Sequence, residues 1–316
     1  MAITFFKPEE EKRELLAIEK LNLLYNLLTT LLVIIFFNRL QDPRAMLMGR
    51  FLVAAGTFAI IYIYTKYPSP ATRFLRIVGQ MALLSYWYPD TFEFNRIFPN
   101  LDHIFASVEY NLFGCQPAIM FEQICSHTLW REAFNMGYWA YYPMIATIVI
   151  WYFFKQQRDI ERCTFVIIAS FFIYYLIYIF IPVAGPQFYF PVIGDIAASG
   201  PYPAIGDYFN LHPDITLPQA DKEGFFTSLV NMAQASGERP TAAFPSSHIG
   251  ISSIIILLAY RAKKALMLSL LPFYVLLCCA TVYIKAHYLI DGIAGVTSGV
   301  LIYALTTYIF KKWVKQ

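Results

Sequence analysis

The stretch "RPTAAFPSSHIGISSIIILLAY", residues 239–260, joins a polar turn to a run apolar enough to enter a membrane. Pro245 stops any helix arriving from upstream, and Ser246 is a natural N-cap for a helix that starts there. His248 then falls in the first turn, where free backbone N–H groups and the helix dipole attract an anion such as phosphate. An imidazole at the mouth of an apolar helix is costly to place, so the rest of the chain decides what it is for.

The 316 residues are 58% hydrophobic, 18% aromatic and only 14% charged, with a mean hydropathy of +0.50. Soluble domains run at about 45–50% apolar and about 25% charged. An excess spread over the whole length cannot be hidden in one core. The chain is therefore read as all-α, a polytopic membrane helix bundle. A hydrocarbon core takes about 20 apolar residues per helix. On that measure the candidate spans, about eight, are Leu21–Phe37, Ala45–Tyr64, Phe74–Tyr88, Met136–Phe154, Cys163–Pro182, Phe244–Tyr260, Ala265–Ile284 and Tyr288–Phe310. The third is short and carries Arg76 and Gln80. Three regions are expected: 1–88 with an amphipathic start and the first spans, 89–135 as interfacial helices, and 136–316 as the main transmembrane core, which carries the 239–260 stretch.

The opening "MAITFFKPEEEKRELLAIEK" is densely charged and lacks a small-residue cleavage site, so the first apolar run is expected to stay as an anchor. Basic residues collect in "KQQRDIER" (155–162), "RAKK" (261–264), "KYPSPATRFLR" (66–76) and the tail "KKWVKQ" (311–316), which places those loops in the cytoplasm. The acidic connections, roughly 89–135 and 183–243, fall outside, on the periplasmic or lumenal face. "NRLQDPR" (38–44) is basic yet falls outside by alternation. A net charge of +3 with scattered basic residues excludes nucleic acid as a partner. The five cysteines match no metal-ligand spacing; Cys115 and Cys125 share one loop and are either a disulfide or two thiols. "DHIFASVEYNLF" (102–113) and "PAIMFEQICSHTLW" (117–130) mix apolar, aromatic and polar residues at helical spacing, as interfacial helices do, and leave His103 and His127 without partners at a telling spacing.

A second polar cluster lies in "YIKAHYLIDGIAG", residues 283–295. On a helix, His287 and Asp291 stand four apart on one face. The carboxylate is then placed to accept the Nδ1–H of the imidazole, leaving Nε2 unprotonated and able to attack. His248 and His287 lie at the outer ends of two spans, on the same side and at the same depth.

At these residues the sequence resembles the type 2 phosphatidic acid phosphatase (PAP2) superfamily. "PSSH" (245–248) is similar to its Pro-Ser-Gly-His signature, with Ser247 in the glycine place, and "HYLID" (287–291) to its His-x-x-x-Asp signature. The resemblance implies a six-helix core, here with extra N-terminal helices, in which His287 is the nucleophile forming a phosphohistidine, Asp291 orients it and His248 protonates the leaving alkoxide. Two features depart from the phosphatase pattern. Ala280 and Thr281 stand where it has Ser-Arg, and the upstream lysine before Arg-Pro is missing, since Glu238-Arg239-Pro240 lies only a few residues before "PSSH". The groups left to meet a phosphate are Arg239, Lys285 and the backbone at Ser246 and Ser247.

Those departures resemble the sphingolipid synthases, which share "HYxID". Among them the inositol phosphorylceramide synthases have a segment similar to Phe244–Gly250 and a pre-loop element similar to "VAGPQFYFP" (183–191). The function this implies is transfer of phosphoinositol, or a related phospho-headgroup, from a phospholipid donor to a ceramide-like lipid acceptor. No cofactor, metal or protein partner is implied. The alternative is a lipid phosphate phosphatase in which water is the acceptor. A non-enzymatic lipid transporter would place its ionisable residues in mid-membrane, whereas here they cluster at one face. A vanadate-dependent haloperoxidase shares the signatures but is far less hydrophobic.

Overall fold

A computed structural model describes residues 5–9, 14–212, 215 and 223–313 of the chain. Among them are fourteen α-helices and no strand: α1 (Ala17–Ile35), α2 (Pro43–Lys66), α3 (Pro70–Asn95), α4 (Asp102–Phe113), α5 (Pro117–Ile124), α6 (Thr128–Trp139), α7 (Tyr141–Lys155), α8 (Ile160–Phe180), α9 (Pro186–Ile193), α10 (Tyr208–Leu211), α11 (Phe225–Gly237), α12 (Ser247–Ala262), α13 (Lys264–Tyr283) and α14 (Leu289–Trp313). Five of them, α1, α2, α8, α13 and α14, are long and apolar enough to cross a membrane. The chain is a membrane-embedded, polytopic helical bundle.

Three expected spans differ from a plain apolar helix. α3 is 26 residues long but buries Arg76 and Gln80. The stretch expected as one helix over Met136–Phe154 is two, α6 and α7, meeting at Ala140. Pro143 explains the restart: it has no N–H to donate backwards, and it is tolerated in the first turn of α7, where N–H groups have no partner within the helix. α12 is apolar but only 16 residues long.

The chain forms two compact units, one of Met1–Asp90, Val149–Phe172 and Ala304–Gln316, the other of Thr91–Ile148 and Ile173–Tyr303. The first unit is notable for buried charge. The Arg76 guanidinium donates from Nε and Nη2 to the two oxygens of Glu19 at 2.7 and 2.6 Å and lies 4.7 Å from the Tyr64 ring centre. Arg50 pairs with Asp90 at 2.7 Å. Ions removed from water are stable only when the partner and its geometry replace hydration, and both pairs meet that condition. Arg76 thus sits in an otherwise apolar segment because Glu19 of α1 meets it there.

The second unit holds both histidine motifs. α12 and α14 touch backbone to backbone, since a methyl group on Gly295 would collide with the Ser246 carbonyl and one on Gly299 with that of Gly250. Small residues at such contacts let helices approach closely. Gly137 does the same for α6 against the backbone of α13 at Leu276 and Leu277.

Replacing Glu19 by Gln removes the carboxylate charge that faces the buried Arg76 guanidinium, and breaking such a buried pair typically costs about 3–5 kcal/mol. The variant should melt well below wild type in detergent, and Glu19→Leu combined with Arg76→Met should recover most of the loss. A single variant with an unchanged melting temperature would show that the pair holds nothing.

Candidate active site

α13 ends at Tyr283, and the chain turns back through Lys285, whose φ of 65° is left-handed. His287 lies in this turn before α14, with its backbone N–H donating to Thr281 O at 3.0 Å and its side chain only 3% exposed. Its Nδ1 is 2.7 Å from the Ala243 carbonyl oxygen. A carbonyl only accepts, so Nδ1 carries the proton and Nε2 keeps its lone pair. Ala242, just before that carbonyl, is also left-handed at φ 70°. Non-glycine residues in this region cost free energy and persist where the surroundings enforce them, often at functional sites.

Asp291 does not orient the ring in the way its spacing predicts. His287 precedes the helix, so the one-turn stacking of residues four apart does not apply to it. Asp291 Oδ2 instead accepts the Tyr288 N–H at 2.9 Å, as an acid in a first helical turn does, and stands 3.7 Å from His287 Nδ1. Its own carbonyl accepts the Ser246 N–H at 3.1 Å, which keys the start of α12 to the first turn of α14.

His248 is the second residue of α12, as its sequence position predicts. Its ring lies between Tyr138 and Tyr141, with ring centres 4.8 and 4.7 Å away, and 5.8 Å from the ring centre of His287. The two motifs are thus brought together. The start of α12 is held by Tyr178 of α8, whose hydroxyl donates to Pro245 O and accepts from Ser247 N, each at 2.9 Å. Ser246 acts as the N-cap, accepting from Ile249 N at 3.4 Å.

Of the groups expected to meet phosphate, several already have partners. The Ser246 and Ser247 N–H groups are used by Asp291 O and Tyr178. Lys285 Nζ is 2.6 Å from Glu122 Oε2 of α5. Arg239 is partly buried, and its carbonyl accepts the Thr241 N–H at 2.7 Å. His127 serves as the N-cap of α6, accepting from Leu129 N at 3.1 Å, and all five cysteines, Cys115 and Cys125 included, are free thiols.

Sequence reasoning missed the supports of the site. Asp102, fully buried at the start of α4, accepts from Ala184 N (2.7 Å), Gly185 N (2.8 Å), Asn100 Nδ2 (2.6 Å) and Tyr288 OH (3.0 Å). Burial raises its pKa and these donors act against the rise. Glu109 accepts the Ile290 N–H at 3.0 Å, and burial pushes its pKa up to about 7. The signal was present: Asp102 and Glu109 are seven apart, two turns on one face of a helix that is otherwise largely apolar. Glu238 was also passed over. Its Oε1 accepts from Gln187 Nε2 at 3.1 Å, and burial raises its pKa while Gln187 and His287 act to lower it.

The fold and the site define a membrane-embedded helical protein with a paired-histidine centre at the starts of α12 and α14. The chain belongs to the PAP2 superfamily, which it matches over residues 103–305. That range contains both histidines and all of α4 after its first residue, so it includes Glu109 and begins just past Asp102. No curated protein and no solved structure matches the chain. Membership supports a phosphatase- or phosphotransferase-type lipid enzyme in general.

Burial pushes the His287 pKa down to about 4, against the upward pull of the Ala243 carbonyl and of Glu238. A lowered pKa disfavours the cation, so the ring stays neutral, with Nε2 free, at every pH well above that value. A 15N titration followed at His287 should show the neutral Nδ1–H tautomer from about pH 5.5 to 8, away from the ordinary histidine midpoint near 6.5. A His287 midpoint between about 6 and 7 would contradict this reading of its environment.

Proposed function

We propose that this protein is a lipid phosphotransferase working through a phosphohistidine. His287 Nε2 attacks phosphorus, the bond to the departing oxygen breaks, and His248 gives that oxygen its proton. The acceptor hydroxyl then returns a proton to His248 as its oxygen takes the phosphoryl group from His287. The preferred donor is a phosphoinositol glycerophospholipid and the preferred acceptor a ceramide-like lipid, with diacylglycerol as the leaving product. The observation that carries the reading is the 5.8 Å approach of the two imidazoles, one of them held in its nucleophilic tautomer by the Ala243 carbonyl. The transferase preference is supported by "FPSSHIG" and "HYLID", and by Ala280 and Thr281, both fully buried, in the place of a phosphatase Ser-Arg pair. With water as acceptor, the same two histidines would make a lipid phosphate phosphatase.

Purified protein in mixed micelles with labelled phosphatidylinositol and ceramide separates these outcomes by product mass. Headgroup-bearing ceramide supports transfer, a released headgroup phosphate supports hydrolysis, and no turnover overturns both. His287→Ala should abolish either reaction. Asp291→Asn should cost less, because Ala243 still orients the ring. General acids typically contribute about 10²–10⁴-fold, most where the departing oxygen is a strong base. His248→Ala should therefore lose that much on a natural lipid and far less on an activated aryl phosphate. Equal losses on both substrates would make His248 a binding group and not the acid.

The chemistry is proposed to face the periplasm or lumen, since translocating the basic loops 155–162 and 261–264 is disfavoured. In a cysteine-free background, Ser199→Cys in the outer connection should react with a membrane-impermeant thiol reagent on sealed cells or vesicles of known orientation, and Lys263→Cys should not. The opposite pattern would put the site on the cytoplasmic face.

A further inference from the structure

The charges around the two histidines say which phosphate the site can hold. Lys285 is held by Glu122, and the N–H groups of Ser246 and Ser247 are taken by Asp291 and Tyr178, so of the candidate phosphate-binding groups only Arg239 brings an uncommitted cation. Beside it in the chain stands an anion, Glu238. This is a fixed group, not a rotating surface side chain. Gln187 Nε2 donates to its Oε1 at 3.1 Å, and Gln234 Nε2 donates to Gln187 Oε1 at 3.2 Å. The Gln187 backbone N–H is in turn bound at 2.8 Å to the carbonyl of Lys285, two residues before the nucleophile. Among the described residues no lysine or arginine forms an ion pair with Glu238.

A carboxylate near a phosphate site opposes binding in proportion to the charge of the phosphate. A phosphomonoester is largely a dianion near neutral pH, because its second pKa is about 6. A phosphodiester carries one negative charge at any such pH. One arginine set against one glutamate leaves little to hold a dianion.

Resting on the phosphohistidine reading above, we propose that Glu238 is a specificity-determining residue that makes this a phosphodiester site and turns phosphomonoester dianions away. Its field also reaches His287, whose pKa it acts to raise. The substrate class is then a lipid whose phosphate bridges two alcohols, with the headgroup alcohol retained through the reaction.

The test compares kcat/KM for phosphatidic acid and for phosphatidylinositol at about pH 7.5, using full-length wild type, Glu238→Gln and Glu238→Asp. Glu238→Gln should raise the monoester-to-diester ratio on the order of tenfold or more, mainly by a gain on phosphatidic acid, and Glu238→Asp should stay near the wild-type ratio. Wild type alone supplies a second readout that does not depend on a variant folding: dimethyl phosphate should inhibit more tightly than methyl phosphate. Equal losses on both lipids in Glu238→Gln, or tighter inhibition of wild type by methyl phosphate, would overturn the assignment. A wild type that cleaves phosphatidylinositol but passes nothing to ceramide would end the transferase reading and leave this one standing. A wild type that prefers phosphatidic acid would end this one and the preferred donor with it, and leave the phosphohistidine mechanism standing.

Discussion

The hydrogen bond between His287 Nδ1 and the Ala243 carbonyl is one link in a closed chain of backbone contacts on which the centre depends. Ala243 N donates to Val183 O, Ala243 O receives His287, and Gln187 N donates to Lys285 O, so segments 183–187, 242–243 and 285–287 lock one another. The lock is tight enough that a methyl group on Gly185 would strike the Ala286 carbonyl. It also accounts for the left-handed backbone at Ala242, Lys285 and Gly185, which the three turns need in order to close. Because the partner of His287 is a main-chain oxygen, the tautomer of the ring survives any side-chain change that spares this closure.

What keeps the three turns in place is Asp102. One carboxylate takes two donors from the 184–185 turn, one from Asn100 and one from the Tyr288 hydroxyl, and so ties α4 to the turn before α14. A buried carboxylate with four donors is stable where one with fewer would not be, because each donor replaces hydration lost on burial. The N-terminus of α14 is closed in the same way. Asp291 takes the Tyr288 N–H and Glu109 the Ile290 N–H, so this helix start is filled by the protein's own carboxyl groups.

The sequence made the bundle and the two histidines legible for a simple reason: apolar runs of membrane length and ionisable residues at their ends stand out in composition. The break at Ala140 was harder to see, since Pro143 sits within an unbroken apolar run and only its position in a new first turn separates a restart from a kink. Arg76 looked like a flaw in a span because its partner, Glu19, is 57 residues away. The roles of Ala243 and Tyr178 had no signature at all. A main-chain carbonyl belongs to every residue, and a tyrosine that bridges Pro245 O and Ser247 N looks in sequence like any other of the 23. Asp291 was identified as a partner of the histidine, but its contact depends on where α14 begins, and a shift of one or two residues in a helix start redirects a carboxylate from a ring to a backbone N–H.

Two groups acting on one phosphoester must keep their separation to a fraction of an ångström, since misplacement by about 1 Å can cost on the order of 10²-fold in rate. Long side chains on separate helices would not hold that tolerance. Here the spacing is set by main chain: Gly295 against Ser246, Gly299 against Gly250, and Ser246 N on Asp291 O. Tyr174 adds a lateral tie from α8, its hydroxyl 2.9 Å from Ser298 Oγ of α14. The glycines after "HYLID" therefore set the pairing of the two histidines, although none of them touches either ring. Any side chain at Gly295 would push the start of α12, and His248 with it, away from His287.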